Sequence, residues 1–493
     1  MSMSWVRLLG RPSWPLGLCA AVFLLPACGG GGGSEPVLAA VTSPSAPTGL
    51  TANVGDGAIS LGWGSVADDG GAAVEGYEVT LSPQVSSARI DIVGRRALVR
   101  GLTNGATYTA SIRARNRVGQ GPAVQSAALS PRATNPALYQ PLTIAGDNSK
   151  NGQFDPSLLR ASGSVLWMSY SGVDFNRIAP TAVQQDVSVH IARSTDNGAT
   201  FSKVVSVGVP SAATVTDTDP AHSTCGTASC TGRWVYETSW LIDDSGEPVS
   251  AQRYKLFAHK YFLYPPSSEP TRYYLGAIVM WTAPDPAGPW SAETSVIGWN
   301  LTPPELTARH VVNSLHLDLA NCLVVAEGSA VVRGNTIDFV FACPSAGSSG
   351  TNPQKIVVLR TTDRLSTLSY VATVLQAGDA APLGASFYSA PALMANADGA
   401  PLLLVTPAVG AGFYAGCVVF PFADEVAGTL FVDAAVPVAV QGLPTRGGRF
   451  GGACTWAREA AGLGGVILNE LTPAAALEDS RFTMLRTGTS LDP

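Results

Sequence analysis

After residue 149 the chain repeats itself in outline, and this repetition limits its fold more than any other feature. An acidic or small residue opens an apolar strand, an aromatic-rich strand follows, a third ends in Ser/Thr-x-Asp, and a turn leads to a short fourth strand. The first unit runs from Phe154-Asp155-Pro156 through Leu166–Tyr170 and Val187–Ala192 to Ser194-Thr195-Asp196-Asn197-Gly198-Ala199-Thr200-Phe201. The second opens at Tyr236-Glu237 and continues through Tyr254–His259 and Leu275–Trp281, and the third runs from Ala326-Glu327-Gly328 to Thr361-Thr362-Asp363. The fourth and fifth open near Ser389-Ala390-Pro391 and Cys454-Thr455-Trp456. Repeats of about 60 to 90 residues built from four strands imply blades packed radially around a channel, a β-propeller. Five units fit the length, with six as the alternative. The 52 glycines and 35 prolines supply the turns that many short strands need.

The start of the chain reads as an export signal. Arg7 and Arg11 precede an apolar run from Pro15 to Leu25, too short to span a bilayer as a helix. The run ends in Leu25-Pro26-Ala27-Cys28, which resembles the bacterial lipobox. The resemblance implies cleavage before Cys28 and lipidation of that cysteine, which Gly29–Gly33 and Ser34 then tether flexibly to the body. A signal peptide is therefore expected over 1–27 and a lipidated tether over 28–43, with the protein lipid-anchored at the outer membrane or cell surface. An ordinary secretory signal with a chance cysteine is the alternative.

Six further cysteines remain: Cys225, Cys230, Cys322, Cys343, Cys417 and Cys454. In an exported chain they form disulfides. Cys225 and Cys230 bracket a short loop and are the expected pair. Cys322–Cys343 and Cys417–Cys454 follow only from adjacent predicted strands. No histidine stands at ligand spacing from a cysteine pair, so no metal site is expected. No cofactor is called for, and the sequence does not decide on a structural calcium ion. A net charge of −6 without a basic stripe argues against a nucleic-acid partner. A monomer is expected.

Between residues 44 and 135 short alternating strands separated by Gly, Asp and Asn turns indicate a small β-sandwich. Pro44-Ser45-Ala46-Pro47, Trp63, Gly76-Tyr77-Glu78-Val79, Leu102–Tyr108 and Ala114–Gly119 resemble the fibronectin type III pattern. The resemblance makes Trp63 and Tyr108 core residues, Tyr108 as the tyrosine corner, and the module a spacer. A polar linker is expected over 136–149 and the propeller over 150–493. The whole chain is thus read as all-β.

Ser194–Phe201 resembles the Asp-box of sialidases and related propellers, a hairpin device remote from any active centre, so Asp196 is a fold marker. The opening residues of the blades are more informative, because innermost strands aim their first residues at one mouth. Asp155, Glu237 and Glu327 hold those places in the first three units. Like charges converging on one mouth raise at least one pKa while another group stays ionised, as paired acid and base chemistry requires.

Phe154-Asp155-Pro156, Glu327-Gly328 and Gly288-Pro289-Trp290 resemble motifs of five-bladed arabinanases and β-xylosidases. That resemblance implies Asp155 as general base, Glu327 as general acid and Glu237 as the acidic residue that positions and tunes the acid. The family usually has an aspartate at the last position. An inverting pair stands about 6.5–9.5 Å apart to admit water. Trp240, Tyr388 and Trp456 are candidate sugar-stacking residues, Arg309, His310 and Arg449 candidate polar contacts, and His259 a core histidine. The expected function is binding and hydrolysis of a glycan. The alternative is a non-catalytic propeller that binds carbohydrate or protein on a fibronectin-type stalk. A sialidase ranks lower, because it needs an arginine triad, for which Arg309, Arg446 and Arg449 are the candidates, and no Arg-Ile/Leu-Pro motif precedes the first blade.

Overall fold

Strand-forming alternation and its interruptions account for most of the architecture. In the fibronectin-like module Thr109–Asn116 buries Ala110, Ile112 and Ala114 and turns the intervening side chains outward, the period of two of a half-buried strand. This strand pairs with Gly76–Ser82 and Gly119–Gln125, and a second sheet is formed by Thr51–Gly55, Ala58–Gly62, Arg96–Arg100 and Arg89–Val93. Trp63 and Tyr108 are buried between the sheets, and the Thr103 N–H donates to Tyr108 Oη at 3.1 Å, as expected of a tyrosine corner.

The computed structural model describes residues 40–180, 182–218, 229–264, 275–345, 354–394, 401–409, 414–447 and 449–493. The expected leader, Cys28 and Cys225 lie outside them. Among the described residues five sheets of four or more strands follow the sandwich, with innermost strands Gln153–Arg160, Ser229–Asp243, Ala326–Arg333, Phe387–Met394 and Arg449–Thr455, beside one two-stranded ribbon, Val432–Asp433 with Val436–Pro437. Each innermost strand packs against the next, and the fifth returns to the first, so five blades close a ring around a channel. The fifth blade contributes three strands of its own and takes its fourth, Gln140–Pro141, from before the first blade. Ile144–Ala145 likewise adds to blade 1, in parallel with Phe201–Gly208. The linker expected over 136–149 therefore belongs in part to the propeller. Its polar composition hid it, because a closing strand at a blade's outer edge needs little apolar surface.

Two outer hairpins share one device. Asp196 accepts from Ser194 Oγ (2.8 Å), Thr200 N (2.9 Å) and Thr200 Oγ1 (2.6 Å). Asp363 accepts in the same pattern from Thr361 Oγ1 (2.9 Å), Thr367 N (2.8 Å) and Thr367 Oγ1 (2.7 Å). Disulfides join Cys322 to Cys343 beneath blade 3 and Cys417 of blade 4 to Cys454 of blade 5. Cys230 is also disulfide-bonded.

The fibronectin-like module is more than a spacer. Residues Val41–Pro493 form one unit, in which Ala58 and Leu98 of the module share a core with Leu402, Val440 and Leu491. Arg96 pairs with Glu425 at 2.6 Å, and Arg89 and Arg100 both reach Asp433, at 2.7 and 3.1 Å. Leu50, Ala52 and Leu129 of the module close a cavity of about 700 Å³ whose other walls are Leu159, Val331, Met394 and Trp456 from the ends of the innermost strands. The module thus caps one end of the channel, and the strands' opening residues face the other. Its apolar contact residues look like ordinary sandwich residues in sequence, so the sequence carries no sign of this docking.

Candidate active site

All five innermost strands break register at the same height. The shift falls between Phe154 and Ser157, Glu237 and Trp240, Ala326 and Ser329, Ser389 and Ala392, and Gly452 and Thr455. Each break is a bulge holding one non-glycine residue in the left-handed region: Asp155 (φ 50°), Thr238 (φ 44°), Glu327 (φ 51°), Ala390 (φ 43°) and Ala453 (φ 48°). Four of these bulges are latched by the blade before. The backbone N–H of Asp155 donates to Asn469 Oδ1 (3.2 Å), that of Thr238 to Ser171 Oγ (3.1 Å), that of Ala390 to Glu327 Oε2 (3.0 Å) and that of Ala453 to Thr406 Oγ1 (2.9 Å). Asp155 and Glu327 are therefore structural equivalents, whereas Glu237 stands one residue ahead of its blade's equivalent, Thr238. Matching units by their acidic residue misses this offset, because the bulge is not visible in the pattern.

The three carboxylates nonetheless act on one another. Thr238 Oγ1 donates to Asp155 Oδ2 at 2.7 Å. Burial raises the Asp155 carboxyl well above the usual carboxylate range, and the negative charges of Glu237 and Glu327 raise it further against that hydrogen bond. Glu237 accepts from Tyr261 Oη at 2.9 Å and lies 3.7 Å from Nδ1 of the fully buried His259, its cross-strand neighbour. Glu327 accepts from Tyr414 Oη (3.2 Å) on one oxygen and from the Ala390 N–H (3.0 Å) and Ser389 Oγ on the other. Burial keeps the Tyr261 and Tyr414 phenols protonated, helped by the Glu237 and Glu327 charges respectively. Tyr261, Thr238, Asn469 and Tyr414 carry no motif that selects them, and Ser389 is marked in the sequence only as the opening of the fourth unit.

The remaining candidates disperse. Trp240 is 1% exposed, stacks on Phe257 at 5.5 Å and belongs to the core between blades 2 and 3. Tyr388 is buried edge-on to Phe420 and donates to the Asp379 carbonyl. Trp456 is buried at the capped end of the channel, beneath the Arg458 guanidinium. These three corrections share a cause: beside a bulge the alternation resets, and large aromatics turn into the blade interfaces.

Arg309 and His310 lie at the outer edge of blade 2, where both side chains bond the Leu365 carbonyl (3.4 and 2.8 Å) and brace the second Asp-box turn. They are corrected from ligand contacts to structural braces. Arg449 is exposed at the opening of blade 5's innermost strand, on the side of the carboxylates. The arginine triad of a sialidase is not assembled, since Arg309 is peripheral and Arg446 pairs with Glu470 at 3.4 Å. Among the described residues no group of three or more His, Cys, Asp or Glu side chains is arranged to hold a metal ion.

Residues 45–130 match the family model of the fibronectin type III domain. No curated protein sequence matches the chain. Solved structures similar to it include a thermostable family-43 glycoside hydrolase (12% identity, 73% of this chain and 97% of that one, TM-score 0.38). The GH43_1 enzyme from Xanthomonas citri complexed with xylotriose is another (12% identity, 71% and 90%, TM-score 0.40). A third is a family 117 glycoside hydrolase produced by the marine bacterium Zobellia galactanivorans (12% identity, 70% and 88%, TM-score 0.38).

Proposed function

We propose that this chain is a cell-envelope lipoprotein whose propeller hydrolyses glycosidic bonds, with Asp155 as general base, Glu327 as general acid and Glu237 raising the basicity of Asp155. One observation carries the reading: three carboxylates from three blades meet at one end of the channel and oppose one another's charge. A carboxylate near its usual pKa is a weak base at neutral pH, and raising that pKa strengthens it. The Glu237 charge raises Asp155 more than the Glu327 charge does, so in this reading the tuning residue acts on the base, where the sequence resemblance implied the acid. Glu327, equivalent to Asp155 two blades away, supplies the second carboxyl that protonation of a leaving oxygen requires.

The test is hydrolysis of aryl glycosides, arabinan, xylan and sialosides by the soluble protein beside Glu327→Gln. Turnover that is lost in the variant supports the assignment and identifies the sugar class. No turnover by either protein, with glycan binding retained, replaces it with a carbohydrate-binding propeller. Export and anchoring through Cys28 are checked by radiolabelled palmitate incorporation, which Cys28→Ala should abolish.

A further inference from the structure

Glu327 lies on blade 3, but its hydrogen-bond donors come from blade 4. Tyr414 Oη serves Oε1, while the Ala390 N–H and Ser389 Oγ serve Oε2. Ser389 also contacts Gln354 at 3.0 Å. The Gln354 atom that faces Ser389 is Oε1, so the one hydroxyl proton of Ser389 is shared between Gln354 and Glu327.

Tyr414 itself is clamped in place. Its backbone bridges Ala408, the Ala415 N–H bonds the Pro407 carbonyl (2.9 Å), and the Gly416 N–H bonds Gly451 of blade 5 (2.8 Å). Gly416 (φ +95°) passes so close to the Leu443 carbonyl that a Cβ would stand 1.9 Å from it, which only glycine avoids. The phenol ring meets Phe450 of blade 5 edge-on at 5.8 Å. The side chain therefore spans from the blade 4/5 junction back to the carboxylate of blade 3.

Building on the hydrolase reading above, we infer that Tyr414 is the positioning residue for Glu327, holding one carboxyl oxygen in place by a clamped phenol. The titratable groups that sense Glu327 are Tyr414 and, across the channel, Asp155.

The test is Tyr414→Phe, which keeps the ring against Phe450. It should lower kcat/KM about ten-fold for glycosides with poor leaving groups, the scale of one hydrogen bond lost to a charged group. Activated aryl glycosides, which leave without protonation, should be hydrolysed at nearly the wild-type rate. A uniform loss across leaving groups would overturn the inference. Independently of turnover, a crystal structure of Tyr414→Phe should show the Glu327 carboxyl turned from its wild-type orientation with the blade 4 backbone unmoved; an unmoved carboxyl overturns the inference too. A wild-type protein without turnover sinks the hydrolase reading, while the carboxyl's orientation still decides the role of Tyr414.

Discussion

Blades 1 and 3 can be compared with blades 4 and 5 at one backbone position. Asp155 and Glu327 have φ values of 50° and 51°, Ala390 and Ala453 of 43° and 48°. The bulge and its left-handed residue are thus properties of the ring, present whether or not the side chain can do chemistry. Strain of roughly 1 kcal/mol or more per site is stored where only a methyl group protrudes. Strained backbone therefore does not single out the residues proposed as catalytic. What separates the two sets is a carboxylate at the bulge and donors from the adjoining blade: Thr238 for Asp155, and Ser389, Ala390 and Tyr414 for Glu327.

The largest effect tests that division directly. Asp155→Asn and Glu327→Gln should each cut kcat/KM by about 10²–10⁴-fold on unactivated glycosides, the usual contribution of one general acid or base. Circular dichroism and the thermal midpoint should show an intact fold. Equal losses from an alanine-bearing blade, read with Ala453→Gly, would erase the distinction.

Next in size is the disulfide that ties the two alanine-bearing blades together. Cys417–Cys454 bonds the residue directly after Ala453, whereas Cys322–Cys343 joins the segment before blade 3 to that blade's second strand. Removing the former by Cys417→Ala/Cys454→Ala should cost about 2–5 kcal/mol, measured by chemical denaturation. Activity should persist at temperatures where the ring remains closed.

The third prediction concerns pH and the sign of the Asp155 shift. Its carboxyl is raised in the folded protein, so between its ordinary value and the raised one the folded state binds more protons than the unfolded. Stability from this site is then greatest in acid and is lost as pH rises through the folded value. Asp155→Asn should raise the thermal midpoint at pH 7, with the gain vanishing near pH 4. In activity, the acidic limb of kcat/KM should lie above the usual carboxylate range, and Glu237→Gln should shift it downward by removing the negative charge that raises Asp155 most. An unshifted limb would separate Glu237 from the base.

How much of this was legible depended on whether the signal was periodic. The blades could be read because period-two strands and Ser/Thr-x-Asp turns recur, and the module because Trp63 and Tyr108 sit at fixed offsets in a known pattern. Asp155 and Glu327 were readable as acidic residues opening apolar strands. The bulge was not, since it inserts a residue without changing composition, and so the sequence pattern alone sets Glu237 level with Asp155 and leaves Trp240 facing outward. Tyr414 stands in a hairpin with no repeat to flag it, and its partner is 87 positions away. Arg309 and His310 looked suited to a ligand because they are polar, but what they bond is a carbonyl in the next blade.

The smallest effect is also the sharpest comparison. Ala453 spends its left-handed conformation on a methyl group that makes no hydrogen bond, so Ala453→Gly removes the Cβ clash, worth roughly 1–2 kcal/mol. Against this stands the extra chain entropy glycine loses on folding, about 0.5–1 kcal/mol. The net expectation is a gain of up to about 1.5 kcal/mol, read from denaturation midpoints at constant m-value. Asp155→Gly relieves the same backbone strain and in addition removes a buried carboxyl raised by its neighbours, so at pH 7 it should stabilise more than Ala453→Gly, and by pH 4 the two should converge. A pair of gains that stayed equal at both pH values would mean that Asp155 contributes only backbone strain, and would leave blades 1 and 5 alike.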